Sequence, residues 1–114
     1  MLDRLLGKEF DEAERTRMLA YVRSLPQHVL SRTLRASSTY DSREAAARVR
    51  CPILYVGTSI PYADIPRFKK LCPQLVTEQV AGCGHYFPLE APEQLNPMIR
   101  SFLETRAVGL RTIP

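Results

Sequence analysis

The run Ile53-Leu54-Tyr55-Val56 limits the possible folds of this chain more than any other feature. Four consecutive apolar residues, preceded by Cys51-Pro52 and closed by Gly57, read as a short strand buried on both faces. Strands of this kind belong to parallel sheets, where helices cover the two sides. The residues that follow agree with this. Gly57 to Ala63 is a loop marked by Gly57 and Pro61, and a helix is predicted from about Asp64 to Leu71, stopped by Cys72-Pro73. Val76 to Val80 is the second strand candidate, ending at Ala81-Gly82-Cys83-Gly84-His85. A last helix is predicted from Pro92 to about Arg106, with Leu95, Ile99, Phe102 and Leu103 forming a buried stripe. Pro97, early in that helix, should cost one backbone hydrogen bond or kink its second turn. Strand, helix, strand, helix implies a parallel pair with a right-handed crossover, and so an α/β class.

The first half reads differently. Phe10, Ala13, Met18, Tyr21, Val22 and Leu25 fall near helical spacing from about Glu9 to Leu25. Ser24-Leu25-Pro26 ends this helix, because proline disfavours helical backbone in the residue before it. Pro26 suits the first turn of a second helix holding Val29, Leu30 and Leu34. Ser37-Ser38-Thr39 reads as a loop. Asp41 and Glu44 have capping-box spacing ahead of a short helix from Ala45 to Val49. The 114 residues thus divide into a helical segment, 1–50, and a β-α-β-α segment, 51–114.

Composition bounds the function classes. Hydrophobic residues at 45% and charged residues at 25% suit one ordinary globular domain rather than a disordered chain. The net charge of +4 comes from basic residues scattered beside acids, with no run longer than Lys69-Lys70 and no interleaved aromatics. It reads as solvated helix faces, not a nucleic-acid surface. Three single cysteines, Cys51, Cys72 and Cys83, without a C-x-x-C pair or a secretory signal, point to reduced thiols in a cytoplasmic protein. The opening Met1 to Gly7 is too short and too charged for a signal segment, and no stretch approaches a membrane span.

Two stretches resemble a known family. Arg50-Cys51-Pro52-Ile53-Leu54-Tyr55-Val56-Gly57 is similar to the penultimate strand of α/β-hydrolases, and Ala81 to Glu93, with Gly82-Cys83-Gly84-His85 at its head, resembles that family's histidine loop. Asn96, Ile99, Phe102 and Leu103 match its last helix, and Leu25 to Asp41 is similar to a cap region; the likeness spans roughly residues 25 to 104. It implies a partial α/β-hydrolase fold: cap-like helices, then the last two core strands. The residues support a proton-transfer role independently. A histidine at the end of a parallel strand stands where open α/β sheets bind ligands, flanked by glycines that permit sharp turns with positive φ. Its near-neutral titration lets it take and return a proton. The bland alternative is a loop histidine bound to nearby backbone.

The other parts of a triad are harder to find. The family places a carboxylate about three residues after the closing glycine, where this chain has Thr58-Ser59-Ile60. Asp64 stands a few residues later and reads either as that acid or as the N-cap of the following helix. No Gly-x-Ser-x-Gly elbow occurs, and the family's oxyanion-hole loop is also absent. Glu90 and Glu93 read as helix-start carboxylates. Cys83 is two residues from His85, yet residues so spaced point apart; Cys72, Cys83 and His85 match no usual metal spacing, and His28 reads as a surface or packing residue. No cofactor or metal is expected. The expected function is therefore that of a C-terminal piece of a serine-type hydrolase acting on small ester-like substrates, with His85 and Asp64 as site residues, inactive by itself. The alternative is a non-catalytic interaction module. In both, the open strand edges predict a homo-oligomer or docking on an N-terminal hydrolase partner.

Overall fold

The computed structural model describes residues 5–8, 10–60 and 62–106. The expected helix start at Glu9, the loop marker Pro61, the readings at residues 1–4 and the end of the second segment lie outside these. The chain is a mixed α/β protein, mostly helical. Its elements are α1 (Glu12–Ser24), α2 (Gln27–Thr39), α3 (Arg43–Arg48), β1 (Ile53–Gly57), α4 (Ile65–Leu71), β2 (Leu75–Gln79), α5 (Phe87–Glu90) and α6 (Pro92–Arg106). The strands form a two-stranded parallel sheet, with Ile53 opposite Leu75 and Gly57 opposite Gln79.

The local causes are visible at each boundary. Asp11 caps α1, its carboxylate accepting from the Glu14 amide at 2.9 Å. Pro26 is the N-cap of α2, not a residue of its first turn. The Ser37-Ser38-Thr39 loop expectation is overturned, because α2 runs through Thr39. The Ser38 and Thr39 hydroxyls donate back to the Arg35 carbonyl, each at 2.9 Å, so these side chains serve the last turn instead of breaking it. The cap of α3 is Ser42, one residue later than expected, and the helix is Arg43–Arg48. Asp41 pairs with the Arg43 guanidinium and accepts from the Arg43 amide at 3.0 Å, which in that order hold its carboxyl down at about 2. Strand β2 begins and ends one residue earlier than the apolar pattern suggests, leaving Val80 outside it.

Pro97, Met98 and Phe102 of α6 line one groove with Leu54 and Val76, which places that helix over one face of the sheet. Helix α3 packs on α4. The two segments are joined by hydrogen bonds across residue 50: the Cys72 thiol reaches the Ala46 carbonyl at 3.2 Å, and Gln74 Nε2 donates to the Val49 carbonyl at 2.9 Å. Cys72, Leu75, Val80, Ala91 and Leu6 are the buried apolar residues among those described.

Burial is thinner than the sequence suggests. Ile53 to Val56 are half-buried, not sealed on both faces, and no residue of α1 or α2 is buried. The α6 stripe is half covered: Leu95 and Phe102 are half-buried, while Ile99 and Leu103 are 39% and 53% exposed. The physical reason is that two strands offer too little sheet for so many helices to cover. The radius of gyration is 17.0 Å, against about 13 Å for a compact chain of this length.

Candidate functional site

The carboxyl ends of the two strands are held side by side. The Val80 amide donates to the Gly57 carbonyl at 2.9 Å, continuing the pairing one step past β2, and Val80 is only 1% exposed. Beyond β1, the buried Thr58 turns the chain by donating its hydroxyl to the Ile60 carbonyl at 3.2 Å. Beyond β2, Gln94 of α6 clasps Ala81 at both ends of its backbone: Oε1 accepts from the Ala81 amide at 2.9 Å, and Nε2 donates to its carbonyl at 3.1 Å. Gly82 then adopts φ +72°, the left-handed region that glycine enters without a Cβ penalty. Gly84, expected to share that property, has no positive φ.

His85 follows, exposed, two residues before α5. Its amide donates to the Leu5 carbonyl at 2.5 Å. Its ring lies 4.6 Å from that of Tyr62 at 59° and 5.7 Å from that of Tyr86 at 78°. A cavity of about 470 Å³ holds His85, Tyr62 and Phe87 together with Val56, Gly57 and Thr58 from the end of β1. The imidazole thus stands at the carboxyl edge of the sheet in a largely apolar pocket, flanked by aromatic rings. Among the described residues, no carboxylate hydrogen-bonds it.

Asp64 is elsewhere. It is the N-cap of α4, its Oδ1 accepting from the Arg67 amide at 3.1 Å. It lines a separate groove of about 420 Å³ with Asp41, Arg43 and Arg67. We expect Asp64→Ala to cost about 0.5–2 kcal/mol, the usual worth of an N-cap side chain. Urea unfolding measures the loss, while the His85 ring resonances should stay in place; a large movement of those resonances would show the carboxylate reaching the imidazole after all.

The remaining candidates also separate. Ser59 is exposed and lines a groove with Thr77 and Gln79 that adjoins the His85 cavity at Tyr55, Gly57 and Thr58 but does not include His85. Cys83 faces another groove, of about 720 Å³, beside Glu14, Glu90 and Glu93. Burial pushes its thiol up, and the Glu90 and Glu93 carboxylates push it further, the opposite of what a thiolate nucleophile needs. His28 is exposed on α2. Among the described residues, no three metal-ligating side chains gather, and no helix is long and apolar enough to cross a membrane.

Two residues that hold the loop were not singled out correctly by sequence reasoning. Glu90 is the last residue of α5, and its carboxylate faces back into the loop. Its Oε2 accepts from the Gly7 amide at 2.9 Å and from the Gly84 amide at 3.0 Å. Glu93 alone occupies the first turn of α6. Gln94 looked like any polar helix residue. The five-residue offset between His85 and Glu90 was the available signal, one turn past a glycine-rich loop with bare amides to satisfy.

No family model, curated protein or solved structure matches the chain.

Proposed function

We propose that the chain is the C-terminal part of a serine-type α/β-hydrolase, in which His85 carries protons for a nucleophile borne by another segment. One observation carries the reading: an exposed imidazole at the paired carboxyl ends of two parallel strands, in a cavity shared with Gly57 and Thr58. Ligands of open α/β sheets bind at that edge. Histidine there can accept a proton from an attacking hydroxyl and return it to the leaving group, and no cofactor is needed. The apolar wall of Val56, Phe87 and Tyr62 suits a small ester-like substrate. For Asp64 to orient the ring, its carboxylate has to leave the Arg67 amide. In the present arrangement the proton transfer therefore falls to His85 alone.

Without attacking serine and oxyanion donors, the isolated chain should hydrolyse activated short-chain esters only slowly. His85→Ala is expected to abolish whatever turnover exceeds buffer. The difference should fall well short of the roughly 10²–10⁴-fold that a positioned base supplies in a complete site. Turnover that survives the substitution removes His85 from the chemistry.

A second reading is favoured by the bare apolar surface: an interaction module whose unpaired strand edges and exposed Ile99 and Leu103 are covered by another chain. In this reading His85 is only a loop residue. The two readings differ in the ester assay, and both require a covering partner.

A further inference from the structure

We infer that Leu5–Gly7 is a strap that positions His85, fastened through Glu90. Three contacts define it. Glu90 Oε2 is shared between the Gly7 amide of the strap, 83 residues away in sequence, and the Gly84 amide of the loop. The Leu5 carbonyl takes the amide of His85 itself. Leu6, between them, is 6% exposed, so the strap is seated rather than draped. Arg15 ties its far end to α1 by donating Nη2 to the Gly7 carbonyl at 3.0 Å.

The fit explains residue choice at two positions. A Cβ on Gly84 would come within 2.6 Å of strap backbone, and one on Gly7 would collide with Glu90 Oε2. Glycine is needed at both because backbone and carboxylate approach so closely. Glu90 also depends on the arrangement. Its Oε1 is buried without a hydrogen bond, so among the described residues Oε2 holds all of the carboxylate's partners. Losing the strap would leave a part-buried carboxylate with one donor. The direction of the His85 ring follows from its backbone, which the strap grips directly. The inference deepens the proposed proton-transfer role and rests on it only in that last step; the strap itself stands on geometry.

The test reads amide hydrogen exchange by NMR in the full chain, without reference to turnover. Glu90→Ala is expected to raise exchange at Gly7, Gly84 and His85 by about tenfold or more, with the β1–β2 amides unchanged, and to shift the His85 ring resonances. Glu90→Gln keeps one acceptor oxygen and should restore part of the protection. Gly7→Ala attacks the same bond from the strap side and should reproduce the pattern at Gly84 and His85; it decides the matter if Glu90→Ala does not fold. Protection at His85 unmoved by either variant, or lost equally across the sheet, overturns the inference. An ester assay that fails while the exchange pattern holds would discard the hydrolase reading and leave the strap.

Discussion

Gly84→Ala is expected to lift Leu5–Gly7 off the histidine loop and lower stability by about 1–3 kcal/mol, the usual cost of forcing an extra carbon into a filled site. The added Cβ meets backbone of Leu5, Leu6 and Gly7 within 2.6 Å, so no side chain can swing aside to make room. Either the strap moves or the loop does. Movement of the strap breaks the His85 amide bond to the Leu5 carbonyl and leaves Glu90 with a single donor, which is why the effect should exceed that of an ordinary surface change. Gly82→Ala provides the control. Nothing lies within 4 Å of a Cβ there, but φ is +72°, so its cost is conformational, roughly 1–2 kcal/mol. Urea unfolding should register both substitutions. Trypsin cleavage after the exposed Lys8 separates them: it should accelerate in Gly84→Ala and stay near the parent rate in Gly82→Ala, compared under conditions where both remain folded. Equal acceleration in the two would mean that the strap senses only global stability.

Those two glycines also mark where the sequence was readable and where it was not. Strand β1, helix α4 and helix α6 lie where the apolar run, the Cys72-Pro73 stop and the Pro92 start put them, because each is dictated by neighbours within a few residues. Asp64 offered two readings, and the local one, capping α4, is the contact made, since an N-cap needs only an amide three residues away. Errors arose where a local rule had competition. Ser37 to Thr39 look like a loop until the Ser38 and Thr39 hydroxyls are seen to bond back to Arg35, and Asp41 bonds the Arg43 amide from one position before the cap. The position of His85 at the strand ends follows from chain order. What grips it does not: Glu90 to Gly7 spans the chain, and no periodicity encodes a bond of that length. A carboxylate between two glycine amides becomes legible only after the strap has been folded over the loop.

At micromolar concentration the chain is expected to sediment as a dimer or larger species, and Ile99→Lys combined with Leu103→Lys to raise its dissociation constant at least tenfold. Among the described residues each strand has one unpaired edge, and no charged residue occurs in β1 to discourage another strand from pairing. Two strands with a helix on one face are close to the minimum that stands alone in water. The remaining helices add little, since α1 and α2 bury no residue and Tyr21, Leu34 and Tyr40 stand in solvent. On α6, Ile99 and Leu103 stay exposed although they belong to a stripe meant by its spacing to be covered. Fully covering a leucine or isoleucine is worth about 1.5–3 kcal/mol. Covering the parts of Ile99 and Leu103 still exposed, 39% and 53%, together amounts to about one such side chain and so to at least a tenfold change at about 1.4 kcal/mol per decade. Sedimentation equilibrium of parent and double variant measures it, with hydrogen exchange of the β1–β2 amides confirming that the lysines leave the fold intact. A parent chain that remains a stable monomer would show that the helices cover the sheet sufficiently by themselves, and would remove the reason for expecting any partner at all.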